Sequence, residues 1–141
     1  MGRILAIDYG EKRTGLAVSD PMKIIANNIG TIKTAEIFDW FKMYQIKEKI
    51  DEIVIGYPKR LNNIHSDICV SIDKFIADFS EQFPSIPVIL YDERFTSKIA
   101  FRVMIDAGLK KKSRQNKALI DSISATLILE EYLNFVKNKQ K

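Results

Sequence analysis

Three extended apolar segments crowd into the first third of the chain: Ile4–Asp8, Leu16–Ser19 and Ile24–Ile32, with the turn Gly10-Glu11-Lys12-Arg13-Thr14-Gly15 between the first two. Spacing this close requires each strand to reverse on its predecessor, so an antiparallel meander is expected. Thr34 then offers an N-cap to a helix whose face is Ile37, Phe41 and Tyr44 with Phe38 and Trp40 beside them, running to about Ile50. Ile53-Val54-Ile55-Gly56 reads as a short buried strand that Pro58 stops, because proline has no ladder donor.

From Ser66 onward Ile68, Ile72, Phe75, Ile76, Phe79 and Phe83 recur at helical spacing, and Pro84 and Pro87 bracket the exit. Val88–Tyr91 is the next strand. Thr96 or Ser97 can cap a helix with Ile99, Val103 and Met104 that ends at Gly108, and a last helix is expected from about Asn116 to Val136. The expected architecture is α/β: a mixed five-stranded sheet, three antiparallel strands then parallel strands, flanked by helices. With 141 residues, 46% hydrophobic, and neither a repeat nor a linker, residues 1–141 are expected to form a single domain. Right-handed crossovers would bring the carboxyl ends of the buried strands to one sheet edge, making Asp8 and Glu93 neighbours.

No run approaches the roughly 18 apolar residues of a membrane span, and Met1-Gly2-Arg3 leads directly into a strand. A soluble, cytoplasmic protein without a membrane partner is the expectation. Cys69 is the only cysteine, which excludes an internal disulfide or a thiolate cluster and leaves a packing role. The net charge of +4 is concentrated, since Lys110, Lys111, Lys112, Arg114 and Lys117 form one basic run with no acid in it. Such a run either contacts nucleic-acid phosphates or is a solvated loop.

Three carboxylates stand out against apolar surroundings. Asp8 ends Ile4-Leu5-Ala6-Ile7, Glu93 follows Val88-Ile89-Leu90-Tyr91-Asp92, and Asp121 shares a helix face with Ala118, Ala125, Ile128 and Tyr132. A buried carboxylate without compensation costs several kcal/mol, so a shared divalent cation is the economical partner for all three. Taken singly, each has a structural reading: Asp8 in the Gly10 turn, Glu93 paired with Arg94 or Arg13, Asp121 bonded to Ser122 or an amide.

Asp8-Tyr9-Gly10-Glu11-Lys12-Arg13-Thr14-Gly15 with Ser19-Asp20, then Ile53-Val54-Ile55-Gly56-Tyr57-Pro58, then Asp92-Glu93-Arg94-Phe95-Thr96-Ser97, then Asp121 before Ser124-Ala125, resemble the YqgF (RuvX) family. The blocks occur in the family's order along nearly the whole chain. Resemblance implies a ribonuclease H-like fold related to Holliday junction resolvases. It also implies nuclease activity, in trimming the 5′ end of precursor 16S rRNA or in resolving DNA junctions. Asp8, Glu93 and Asp121 carry over as the acidic catalytic and metal-binding set. The chain departs from the family at Lys59–Ser66, where many members have a glycine-containing stretch, and in Phe95-Thr96-Ser97 after the D-E-R triplet.

Phosphodiester hydrolysis needs a nucleophilic water, charge neutralisation at phosphate and stabilisation of the leaving oxygen, which Mg²⁺ or Mn²⁺ held by a few carboxylates supplies. Lys12 and Arg13, in a glycine-flanked turn next to Asp8, can meet a phosphate or stand as an exposed hairpin tip. Arg94 either clamps the phosphate or orients a carboxylate of the site. Tyr9 and Tyr57 flank the site blocks, where packing competes with base stacking, and His65 reads as a surface residue. The expected partner is nucleic acid, precursor rRNA or branched DNA, with the ribosomal particle as a further candidate. A resolvase requires a homodimer, whereas RNA trimming suits a monomer. Two other classes compete: a binding module without turnover, indifferent to metal, and an actin-like or sugar-kinase ATPase, which needs a second such domain.

Overall fold

The structure, a computed structural model, describes residues 2–57, 67–92 and 117–139; at 67, 92, 117–122, 138 and 139 it describes the main chain alone. Strands β1 (Arg3–Asp8), β2 (Arg13–Ser19) and β3 (Ala26–Lys33) form the expected meander. A short 3₁₀ turn (Thr34–Glu36) leads into α1 (Ile37–Lys47), followed by β4 (Ile50–Tyr57), α2 (Asp67–Gln82), β5 (Val88–Asp92) and α3 (Lys117–Lys139). The five strands lie in the order β3-β2-β1-β4-β5. β1 is antiparallel to β2 and β2 to β3, while β1 and β4, and β4 and β5, are parallel.

Strand alternation sorts the apolar runs onto two faces, which is why these strands are continuously hydrophobic. Leu5, Ile7, Leu16, Val18, Ile53 and Ile55 meet Ile37 and Phe41 of α1 and Ile72, Phe75 and Phe79 of α2 on one face. Phe41 sets its ring edge-on to Phe79 at 5.0 Å, a favoured arrangement of ring quadrupoles. On the other face Ile4, Ala6, Ala17 and Val54 meet Ala125, Ile128, Leu129, Tyr132 and Leu133 of α3. Cys69 is buried on α2, in the packing role its isolation implied.

Several boundaries differ from the sequence reading. β3 begins at Ala26, because Ile24 and Ile25 belong to a turn caged by Asp20, whose carboxylate accepts the N–H groups of Met22, Ile24 and Ile25. α1 stops at Lys47 and Ile50 opens β4, its side chain buried in the α1–α2 face. Thr34 caps no helix: its hydroxyl is drawn away to the β1–β2 turn, and the 3₁₀ turn has no side-chain cap. The expected helix over 96–108 and His65 lie outside the described residues. No helix among the described residues is long and apolar enough to cross a membrane.

Candidate functional site

Asp8 is the last residue of β1 and is half-buried. Ile4 and Ala6 pack towards α3, whereas Leu5, Ile7 and Tyr9 pack towards α1 and α2, so alternation turns Asp8 to the α3 face. Its cross-strand partner on β2 is Gly15. On β4 the register runs Ile7 opposite Ile55, which sets Gly56 beside Asp8. Neither neighbour therefore brings a side chain next to the carboxylate.

β4 and β5 end level with β1, Tyr57 opposite Asp92. With strands about 4.8 Å apart, the end of β5 stands about 10 Å from that of β1 at the same edge. Glu93, the next residue, lies outside the described residues. α3 reaches this edge from the other direction. Its Tyr132 donates a 3.0 Å hydrogen bond to Glu52, which pairs in register with Ile4 at the amino end of β1. Position 121 lies about three turns towards the amino end of α3 from Tyr132. The Asp121 side chain, Arg94, Lys110, Lys111, Lys112 and Arg114 lie outside the described residues.

The turn after Asp8 is held from outside itself. Thr34 donates its hydroxyl to the Gly10 carbonyl at 2.5 Å and meets the Thr14 hydroxyl at 2.8 Å, while the Gly10 N–H donates to Thr14 Oγ1 at 3.5 Å. The Thr34 N–H adds a 3.0 Å bond to the Lys12 carbonyl. A Cβ at Gly10 would overlap the Arg13 carbonyl oxygen, so glycine is required there. The turn amide is thus taken by Thr14. Lys12 and Arg13 project from this braced turn into solvent.

Tyr9 packs its ring against Phe75 at 5.3 Å, and burial, then the nearby Glu11, pushes its pKa up. Tyr57 packs on the same cluster, and burial, then Cys69 and Asp73, push its pKa up to about 12. Both rings serve the α2 layer. Ser19 and Asp20 are structural as well: Ser19 Oγ accepts the Ile4 N–H at 2.9 Å, and its hydroxyl donates to the Asp20 carbonyl. Thr14 and Thr34 carry a role that the sequence reading missed. In the sequence Thr34 reads as a helix cap, and its partners lie 20 or more residues back.

Hard oxygen donors of the Asp8 type suit Mg²⁺ or Mn²⁺ rather than a soft metal. Among the described residues no group of three His, Cys, Asp or Glu side chains is arranged to hold an ion, so Asp8 is the one member of the proposed set whose side chain is described.

A meander of three strands continued by parallel strands, with helices on both faces, is a ribonuclease H-like fold. Thermus thermophilus RuvC in complex with Holliday junction substrate superposes with a TM-score of 0.58 at 14% identity, over 98% of this chain and 97% of that one. The yeast mitochondrial Holliday junction resolvase Ydc2 gives 0.50 at 15% identity, over 98% and 84%. The profile of the RuvX family, described as Holliday junction resolvase, matches residues 2–135, and the chain belongs to that family. A Flavobacterium johnsoniae relative named for a pre-16S rRNA nuclease is 53% identical over 95% of this chain and 97% of its own. A Bacteroides fragilis relative of the same name is 53% identical over 94% and 96%.

Proposed function

We propose that the chain is a metal-dependent nuclease that hydrolyses phosphodiester bonds in trimming the 5′ end of precursor 16S rRNA in the cytoplasm. The observation that carries this is the placement of Asp8: a half-buried carboxylate at the carboxyl edge of the central strand, flanked by glycines, beside a braced turn bearing Lys12 and Arg13. Near-full-length relatives named for that nuclease support the RNA substrate. Asp8, with Glu93 and Asp121, would hold Mg²⁺ or Mn²⁺, which when bound activates water and neutralises phosphate charge. Lys12 and Arg13 would hold a non-bridging phosphate oxygen from the β1–β2 turn, with Arg94, Lys110, Lys111, Lys112 and Arg114 extending the grip along the strand.

Cleavage of a labelled precursor rRNA fragment, with Mn²⁺ or with chelator, tests the reading. Asp8→Ala should abolish metal-dependent cleavage and keep a cooperative melt; turnover at the parent rate would refute the assignment. The second reading, Holliday junction resolution, is favoured by the family's description and the RuvC-like fold. It requires symmetric cuts in a four-way DNA junction by a homodimer, so the same assay on a junction, with the oligomeric state from sedimentation, separates the two.

A further inference from the structure

We propose that Thr14 and Thr34 are positioning residues that set the phosphate grip of the β1–β2 turn; this rests on the reading of Lys12 and Arg13 as phosphate contacts. The direction of the hydroxyl protons follows from the partners. The Gly10 carbonyl can only accept, so Thr34 spends its one hydroxyl proton there. The 2.8 Å contact between the two threonines must then have Thr14 as donor, which leaves Thr14 Oγ1 to accept the Gly10 N–H. A closed ring results: Gly10 N–H to Thr14, Thr14 to Thr34, Thr34 back to the Gly10 carbonyl.

The Thr34 N–H takes the Lys12 carbonyl as well, so one residue from the β3–α1 corner holds the carbonyls on both sides of Glu11. Thr14 is 0% exposed at the base of the turn while Lys12 and Arg13 are exposed at its end. A hairpin tip needs no hydroxyl from beyond a third strand to close. Bracing matters where long flexible cations must present themselves in one place, because a fixed main chain lowers the ordering cost of binding.

The test compares the parent with Thr34→Val, Thr34→Ser, and the double variant Lys12→Ala/Arg13→Ala. Cleavage kinetics on the precursor rRNA fragment with Mn²⁺ and the salt dependence of RNA binding are both read. Removing the hydroxyl should raise KM about five-fold, the worth of one net hydrogen bond, with kcat within about two-fold. It should also flatten the salt dependence towards that of the double variant, and serine should restore both. Thr34 is outside both apolar clusters, so Thr34→Ala serves the same comparison if the valine fails to fold. A parent-like KM in Thr34→Val or Thr34→Ala, or a serine that does not rescue, overturns the proposal while the double variant still binds weakly. A double variant that binds like the parent instead removes the phosphate role of Lys12 and Arg13, and the proposal with it.

Discussion

The Asp20 carboxylate collects three main-chain N–H groups, from Met22, Ile24 and Ile25, and those bonds hold its pKa below the usual range. Asp51 is lowered too, first by Lys23, which bonds it at 2.9 Å, and further by the Gly2 N–H. Both acids lose protons more readily folded than unfolded, so their contribution is present above the ordinary Asp range and disappears as pH falls through the depressed folded values. Urea midpoints measured from pH 6 downward should therefore fall less steeply in Asp20→Ala than in the parent. Tyr132 has the opposite sign. Burial, then the bond to Glu52, pushes its pKa up to about 12, so its stabilisation is complete below pH 10 and is lost as pH rises between 10 and 12. Tyr132→Phe should cost about 1 kcal/mol at neutral pH and remove that alkaline loss, read by urea denaturation at pH 7 and pH 11.

α3 packs on the sheet through Ala125, Ile128 and Leu129, in one cluster with Ala6, Ala17 and Val54. Ile128 is 0% exposed, so Ile128→Ala should cost about 2–5 kcal/mol in chemical denaturation, transfer and cavity terms together. Ala17→Leu acts the other way. Overpacking costs about 1–3 kcal/mol and pushes α3 off the sheet, which should lower metal-dependent cleavage further than the stability change explains, since α3 carries Asp121. At this scale the elements were legible in the sequence wherever the period was clean, as in Ile72, Phe75 and Phe79 of α2. They were misread where a side chain serves a distant partner: Thr34 has the sequence of a cap and the bonds of a turn brace, and Ile24 and Ile25 have the composition of a strand but lie in the Asp20 cage.

Across the whole molecule the two edges of the sheet differ in kind. At the amino end of β1, Asp51 ties Gly2 and Lys23 together, and Arg3 bridges Glu48 and the Ser19 carbonyl. Those acids and bases satisfy one another. At the carboxyl end stand Asp8 and the end of β5, with Lys12 and Arg13 exposed in the turn that follows Asp8. Nucleic-acid affinity should fall with salt, and reversing Lys12 and Arg13 to glutamate should reduce it at least about ten-fold, whereas reversing the amino-edge Lys49 should leave it near the parent value in a filter-binding titration.

By itself the sequence determined the order of the described strands and helices, the meander and the family, because periodicity, turn spacing and motif order are local properties that a linear reading contains. Only the tertiary structure decided which face of β1 carries Asp8, that Gly15 and Gly56 are its neighbours, and that Thr34 braces the Gly10 turn. Those are matters of register and of hydroxyls reaching 20 or more residues along the chain, and nothing in a local pattern encodes where a strand pair begins or which distant carbonyl a threonine will meet.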